Sequence, residues 1–339
     1  MKLRDFLAGA VVLFAGALPV LSHAQAHSTS PSTELRTSSG QAYPSRPIRF
    51  IVPFTPGTAA DNWARLLGPQ ISQRWGVPIV VDNRSGAAGM IGIEAAANAN
   101  PDGHTFLFMA TAFGTLAAMN PKLPYDPHKS FSPVMILGTS PLSLVVDNKF
   151  PAMSVRELIE LARKQPGAIN YASAGTGSVF HLTMEWFKQE NNINLVHVPY
   201  KGTAGVLADI IAGQVQASLM VFQTIAPHVQ GGRVRMLAVL SRERSPQFPQ
   251  VPTLAESGVP NMVVDAWAGV MAPAKTPQAA ITRLNSEING LIALPENRET
   301  LTKLGISITG GKPDALDKLV RSEIKTWTEV VKRGNIATQ

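Results

Sequence analysis

Short apolar segments recur along this chain, and each is followed by a loop of small residues and then by a segment with helical periodicity. The first three such segments are residues 48–52, 79–81 and 105–109. Alternating strands and helices are typical of βαβ units, whose strands run parallel in one sheet. In such sheets ligands bind outside the carboxyl ends of the strands. The sequence therefore predicts an α/β fold with a mostly parallel sheet, and a binding cleft formed by the loops that follow the strands.

The most informative loop lies within residues 171–182, which read Tyr-Ala-Ser-Ala-Gly-Thr-Gly-Ser-Val-Phe-His-Leu. Apolar side chains recur at helical spacing from Val179 onward, so a helix is predicted to begin after Ser178. Glycines let the backbone approach a ligand closely, and a helix N-terminus offers unpaired N–H groups to an anion. The loop adds hydroxyls but no formal charge. An ordinary strand–loop–helix connection with Ser178 as the N-cap remains an open alternative.

Comparable loops follow the other predicted strands. Pro56 and Gly57 predict a tight turn whose backbone N–H groups face a pocket. Asp61 falls in the first turn of the next helix, where helix capping and ligand contact are both open roles for a carboxylate. Lys201 follows a later strand, residues 195–198, and is a candidate electrostatic partner for an anion. A lone lysine in a loop is also commonly just solvated.

The start of the chain has the features of a secretory signal peptide. Lys2 and Arg4 precede an apolar run over residues 6–21, and cleavage is predicted near Ala24 or Ala26. A flexible leader rich in Ser and Thr is predicted over residues 27–42. The chain has no cysteine, so neither a disulfide framework nor a lipid-bearing cysteine is available. The mature protein is therefore predicted to be exported to the periplasm.

Composition argues against several classes of function. The formal net charge is +7, but the basic residues are scattered, with no basic run that interleaves with aromatics. Nucleic-acid binding is therefore not predicted. The histidines are dispersed, which disfavours a metal site, and neither G-x-G-x-x-G nor a P-loop lysine is present. No cofactor is predicted.

A hydrolase is the enzyme alternative. Ser178 and His181 stand three residues apart at a predicted helix start, so both could face one cleft. A nucleophile needs a base within hydrogen-bond reach and a group that orients the base. The sequence lacks the G-x-S-x-G motif that often marks such a serine, and this spacing is frequent by chance. The pair remains the candidate catalytic group if the protein is an enzyme.

Taken together, the motifs resemble those of the Bug family, the extracytoplasmic solute receptors (TctC-like) of tripartite tricarboxylate transporters. The resemblance spans essentially the whole mature chain. The matching motifs, in order, are Pro53-Phe-Thr-Pro-Gly57 with Asp61, Asn83-Arg-Ser-Gly-Ala-Ala-Gly89, Tyr171-Ala-Ser-Ala-Gly-Thr-Gly-Ser178 with His181, Val198-Pro-Tyr-Lys-Gly202, Arg235-Met-Leu-Ala-Val239, Val251-Pro-Thr-Leu-Ala-Glu256-Ser-Gly258 and Trp267-Ala-Gly-Val-Met-Ala-Pro273.

The resemblance implies a type II periplasmic-binding-protein fold, with two α/β domains around a ligand cleft and a hinge. Domain 1 is expected to comprise residues 43–146 with 268–339, and domain 2 residues 147–267. The implied function is a non-enzymatic, monomeric receptor. It would capture a small organic anion, a mono- or dicarboxylate, for membrane transporter subunits or for a sensor domain.

The resemblance also implies which residues bind the ligand. They are Phe54, Pro56, Gly57, Thr58, Ala59, Asp61, Ser85, Ala88, Gly89, Thr111, Ser173, Gly175, Thr176, Gly177, Ser178, His181, Lys201, Gly202 and Thr203. The chain departs from the family pattern at three places. Thr58 follows Gly57 where a second glycine is usual, Ala88 stands where the family usually has a glycine, and Gln216 stands where an acidic residue is common. These departures leave the identity of the ligand open.

Overall fold

The computed structural model describes residues 43–303 and 305–338, so the predicted signal peptide and leader lie outside the described residues. Its strands are β1 (Ile48–Val52), β2 (Ile79–Asn83), β3 (Thr105–Ala110), β4 (Phe131–Asp147), β5 (Asn170–Ser173), β6 (Val196–Pro199), β7 (Ala217–Val221), β8 (Val234–Val239), β9 (Asp265–Pro273) and β10 (Ser307–Gly310). Its helices are α1 (Ala59–Trp75), α2 (Met90–Ala97), α3 (Ala112–Met119), α4 (Val155–Lys164), α5 (Val179–Asn191), α6 (Thr203–Ala212), α7 (Phe222–Gln230), α8 (Gln278–Ile292), α9 (Pro295–Lys303) and α10 (Pro313–Arg333), and a 3-10 turn covers Ala87–Gly89.

The strands are connected in the order β2-β1-β3-β9-β4-β7-β5-β6, with β8 and β10 also paired to β4. The parallel pairing predicted for the first strands is confirmed, since β1 pairs parallel with both β2 and β3. In the second half β5 pairs parallel with β6 and β7. The sheet as a whole is mixed, because β9 runs antiparallel to β3 and β4, and β7 and β8 run antiparallel to β4.

Strand β4 connects the two halves of the molecule. Its first part pairs with β9 and β10. Its second part pairs with β7 from Leu142 to Val146 and with β8 from Ser143 to Asp147. The sequence predicts two strands here, residues 134–137 and 142–146, and this is wrong: the structure has one continuous strand. Pro141 made the segment look interrupted. It lies at the last β9 pair, where the strand changes partners, a place where proline's missing N–H is tolerated.

Two groups of core residues define two lobes. The first lobe comprises strands β1, β2, β3, β9 and β10. Its buried core includes Phe50, Phe106 and Trp63. The second lobe, named by β5 to β8, is built around clusters that include Tyr171 and Leu182. Two elements reach from one lobe into the other. They are α3, whose Met119 lies in the second lobe's cluster, and α10, which contributes Leu316 and Val320 to the first lobe and Trp327 and Val330 to the second.

The domain boundaries expected from the sequence stay a prediction. Side chains of α10 lie in the cores of both lobes. Within residues 43–303 and 305–338, no helix combines the length and the apolar character that crossing a membrane would require.

Candidate ligand-binding site

The candidate site lies where strands end and helices begin. Helices α1, α3, α5 and α6 each follow a strand through a short loop, so their first N–H groups lie at strand ends. Contacts join these loops across the lobes. A β-carbon added to Gly177 would lie 3.1 Å from Met119 Cγ at the end of α3. Helix α3 also contacts the 3-10 turn and α5. The structure therefore brings loops of both lobes together around α3.

The two first-lobe loops form one surface. A β-carbon on Gly89 would lie 3.1 Å from the Phe54 ring and 3.4 Å from the Pro53 carbonyl oxygen. Gly89 has a φ of 105°, so both this conformation and the close contact with Phe54 favour glycine here. Around this contact the predicted residues Pro56, Gly57 and Ala59 are exposed. They are therefore open to a ligand.

Asp61 lies inside this surface rather than on it. Its side chain is buried, and its carboxylate accepts hydrogen bonds from Gly57 N (2.8 Å), Asn83 Nδ2 (2.8 Å) and Arg65 Nε (2.9 Å). Burial acts to raise the pKa of Asp61, but the bonds from Arg65, Gly57 and Asn83 outweigh it and hold the pKa below its usual value. Asp61 thus fixes the turn from within. The hydroxyl of Thr58 also bonds locally, to the Thr55 carbonyl oxygen at 3.1 Å.

The 3-10 turn has an unusual backbone. Ala87 and Ala88 have φ values of 46° and 55°, in the left-handed region that glycine adopts more readily. Ser85 and Ala88, both predicted to contact ligand, are exposed there. Left-handed residues other than glycine are concentrated at functional sites, which is consistent with a binding role for this turn.

Thr111 lies behind the site. It is buried, and its hydroxyl oxygen accepts a hydrogen bond from Trp267 N at 2.8 Å on β9. That bond ties the end of β3 to the neighbouring strand. The structure therefore uses Thr111 to hold α3 in place, with Ala112 as the more accessible neighbour.

The second-lobe loop is held by bonds within itself and to two histidines. Ser173 Oγ is buried, receives Gly175 N at 3.2 Å and lies 2.7 Å from His197 Nε2. Gly177 N donates to His181 Nδ1 at 3.2 Å. Ser178 N donates to the Gly175 carbonyl oxygen at 3.1 Å. These predicted residues therefore shape the loop.

Four backbone N–H groups of this segment have no hydrogen-bond partner among the described residues. They belong to Ala174, Thr176, Val179 and Phe180. Two lie in the loop, beside the exposed side chain of Thr176, and two lie in the first turn of α5. Such a set of N–H groups at a helix start is suited to an anion. Ala174, Val179 and Phe180 are absent from the sequence prediction, because backbone donors leave no side-chain signature.

Ser178 is the N-cap of α5. Its hydroxyl oxygen accepts from His181 N at 3.3 Å, while the His181 ring accepts from Gly177. Within the part of the chain that the structure describes, neither imidazole is bonded to the Ser178 hydroxyl. The nucleophile–base contact that the hydrolase alternative needs is therefore not formed here.

The loop between β6 and α6 flanks the serine–glycine loop. Tyr200 N donates to the Ser173 carbonyl oxygen at 2.9 Å, and a β-carbon on Gly175 would lie 3.3 Å from the Tyr200 carbonyl oxygen. The next residues include Lys201 and Thr203, which are exposed, and Gly202, with a φ of 116°. The structure therefore places these three beside the candidate donors.

The sequence analysis did not include His197 among the site residues. The pairing of Ser173 with Pro199 in the parallel strands β5 and β6 brings His197 close to Ser173. Sequence reasoning also missed Met119, because α3 was not predicted as a helix. Among residues 43–303 and 305–338, no three His, Asp or Glu side chains are arranged to hold a metal ion.

Comparisons with known proteins agree with this architecture. Residues 63–336 match the tripartite tricarboxylate transporter family receptor. An R. palustris protein solved with adipate is 33% identical, with a TM-score of 0.77 over 88% of this chain and 100% of that one. The periplasmic binding protein BugD is 32% identical, with a TM-score of 0.74 over 88% and 100% of the two chains. MatC from Rhodopseudomonas palustris, with bound malate, is 32% identical, with a TM-score of 0.74 over 85% and 100%.

The family match covers most of the chain, and the solved structures extend it through both lobes. The resemblance to the Bug family and the type II periplasmic-binding-protein fold are therefore confirmed. The chain belongs to the tripartite tricarboxylate transporter receptor family, a family of periplasmic solute-binding proteins.

Proposed function

We propose that this protein captures a small organic carboxylate between its lobes and delivers it to the membrane subunits of a tripartite tricarboxylate transporter. The observation that carries the proposal is that the N–H groups of Ala174, Thr176, Val179 and Phe180 have no hydrogen-bond partner among the residues that the structure describes. A carboxylate accepts several hydrogen bonds in one plane, and the positive end of the α5 dipole favours its charge. No buried lysine or arginine is needed to hold it.

The two lobes have different parts in this function. The second lobe supplies the donors to the carboxylate. The first lobe supplies an uncharged surface of exposed Pro56, Gly57, Ala59 and Ala88 to the rest of the ligand. Closing the lobes would exclude water and strengthen the hydrogen bonds to the anion. The relatives solved with adipate and malate both hold dicarboxylates, which supports a mono- or dicarboxylate as the ligand class.

The binding experiment is isothermal titration calorimetry on protein that has been unfolded and refolded to remove bound ligand. Adipate and malate are titrated beside adipamide, which has the same chain as adipate but neutral amide ends. We expect binding of at least one carboxylate and none of adipamide. Equal binding of adipate and adipamide would contradict a site built for an anion.

A proline substitution tests the donor at Val179. Proline lacks the N–H and is well tolerated at the first position of a helix, so V179P deletes the donor with little harm to α5. We expect V179P to bind the carboxylate about 10- to 100-fold more weakly than V179A, because a hydrogen bond to a charged group contributes about 1.5–3 kcal/mol. V179A controls for lost packing. Q278P, at the first position of α8, controls for proline at a helix start. Equal affinities of V179P and V179A would show that Val179 N does not donate to the ligand.

We further infer that the mature protein is a monomer that begins after Ala24 or Ala26. Mass spectrometry of the protein from a periplasmic fraction gives the first residue. Size-exclusion chromatography with light scattering gives the mass in solution, and a dimer mass would contradict the second inference.

A further inference from the structure

A column of three stacked rings lies directly beneath the serine–glycine loop. The His181 and His197 rings are 4.0 Å apart at an interplanar angle of 25°, and Tyr171 stacks on the other face of His197 at 5.0 Å and 22°. The rings come from β5, α5 and β6, so the column joins the elements on either side of the loop.

Each histidine contacts the loop through one ring nitrogen. His181 Nδ1 accepts from Gly177 N at 3.2 Å. His197 Nε2 lies 2.7 Å from Ser173 Oγ, which in turn receives Gly175 N at 3.2 Å. The column therefore holds, directly or through one hydroxyl, the N–H groups of both glycines in the loop.

Both imidazoles are neutral in this setting. Burial lowers the pKa of His181, and burial together with the neighbouring His181 lowers the pKa of His197 to about 4. His181 must carry its proton on Nε2, because Nδ1 accepts from a backbone N–H. The nearest charges, Glu185 and Lys188, pair with each other at 2.7 Å.

The loop needs such support because its glycines leave it free to move. Gly175 and Gly177 have φ values of 132° and 78°, and glycine samples these regions without preference for one orientation. Along the chain, the N–H groups of Ala174 and Thr176, which have no partner among the described residues, alternate with the hydrogen-bonded N–H groups of Gly175 and Gly177. Because the N–H groups of Gly175 and Gly177 are held by Ser173 and His181, the N–H groups of Ala174 and Thr176 point the other way, towards the ligand side of the loop.

We propose that His181 and His197 are positioning residues, which aim the donors of the serine–glycine loop at the ligand through His181 Nδ1 and His197 Nε2. This inference rests on the proposed carboxylate function, since it names what orients that same site. His181 acts through Nδ1 and His197 through Nε2. A substitution that replaces the contact at one position should therefore fail to replace it at the other.

Asparagine and glutamine separate these demands. The asparagine side-chain oxygen occupies about the place of a histidine Nδ1, and the glutamine amide terminus about that of Nε2. We expect H181N to keep carboxylate affinity within about threefold of the wild type and H181Q to lose about tenfold or more. At the other position the order reverses, so that H197Q retains affinity and H197N loses about tenfold or more. A ring that only fills space would not produce this crossed pattern.

The experiment measures carboxylate affinity by calorimetry for the four variants, with thermal unfolding recorded for each. The crossed pattern supports the proposal, and equal effects of asparagine and glutamine at both positions would overturn it. A second readout uses the ligand-free wild type and does not depend on any variant folding. We expect the Gly175 and Gly177 amides to exchange with solvent at least about tenfold more slowly than those of Ala174 and Thr176.

Similar exchange rates for all four amides would overturn the positioning role. The ligand-free readout also separates the two proposals. If the wild type binds no carboxylate while the glycine amides are protected, the proposed function fails and the positioning role of the histidines stands.

Discussion

The two lobes hold their binding loops by different chemistry. In the first lobe the buried carboxylate of Asp61 accepts a hydrogen bond from Gly57 N, which stabilises the turn, and is paired with Arg65. In the second lobe the loop rests on two neutral imidazoles and carries no formal charge. The buried Asp61 carboxylate thus lies in the first lobe, whereas the four N–H groups of α5 and its preceding loop that have no partner among the described residues lie in the second.

This difference indicates how a ligand would be oriented. A ligand carboxylate near Asp61 would lie close to a like charge, and Arg65 is already paired with Asp61. The second lobe offers hydrogen-bond donors with no carboxylate of its own beside them. We therefore expect the charged end of the ligand on the second lobe and its uncharged part on the first. We also expect the first-lobe turn to lose rigidity when the Asp61 carboxylate is removed, and the serine–glycine loop to lose rigidity when a histidine ring nitrogen is removed.

The largest effect is expected from removing the first-lobe carboxylate. D61A takes the acceptor from Gly57, Asn83 and Arg65 at once and should lower the free energy of unfolding by about 2–4 kcal/mol. D314A is the matched control, because Asp314 also lies in the first turn of a long helix but is exposed. It should change stability by about 0.5 kcal/mol or less. Urea unfolding measures both, and equal losses would contradict a special role for Asp61.

A second effect concerns the seam between the lobes. Glu323 on α10 accepts from Trp267 Nε1 at 2.9 Å and lines a cavity of about 340 Å³ with Asp265 and Trp186. Burial raises the pKa of Glu323 to about 8. Between the ordinary value of 4.5 and about 8 the folded state binds more protons than the unfolded state, so stability falls as pH rises through that window.

E323Q should remove this pH dependence, since glutamine stays neutral and can still accept from Trp267. We expect it to be more stable than the wild type by about 1–3 kcal/mol at pH 8 and to match it below pH 4.5. E329Q, an exposed change on the same helix, should leave the profile unaltered. Chemical unfolding at a series of pH values gives the result, and parallel profiles for E323Q and the wild type would refute the assignment.

Part of the comparison could be predicted from the sequence. The strand at residues 48–52, the loop that follows it and the N-cap role of Ser178 all depend on local patterns, and the structure contains them. The pairing of Asp61 with Arg65 is likewise visible at a spacing of four residues. Local patterns thus predict the strand, the turn and the helix start.

Other parts depend on contacts distant in sequence. Asn83 reaches Asp61 from the next strand, and His197 reaches Ser173 across 24 residues. Helix α3 was missed because its apolar residues lie all round it, as in a helix buried between two bodies, so no amphipathic period marks it. The support of a loop is a tertiary property, and a local pattern cannot show it.

A third effect tests the second lobe. The folded pKa values of His181 and His197 lie below the ordinary 6.5, so the unfolded state binds more protons as pH falls from 6.5 towards about 4. Stability is fully present above pH 6.5 and is lost below it, by about 1–2 kcal/mol. Glu185, Lys188 and the Tyr171 hydroxyl are the titratable groups that face the pair. H197Q should flatten this window, and an unchanged acid slope would contradict a pair of neutral histidines.

The smallest effect concerns the 3-10 turn of the first lobe. Ala88 has a φ of 55°, where a β-carbon costs about 1–2 kcal/mol, whereas glycine loses about 0.5–1 kcal/mol of conformational freedom. These terms nearly cancel, so A88G should be neutral or more stable by about 0.5 kcal/mol. A95G, within helix α2, has no strain to relieve and should lose about 0.5–1 kcal/mol. The sign of the difference between the two variants, measured by urea unfolding, decides the point. If A88G lost as much as A95G, the left-handed turn would be absent in solution, and the first-lobe surface would have to be held by Asp61 alone.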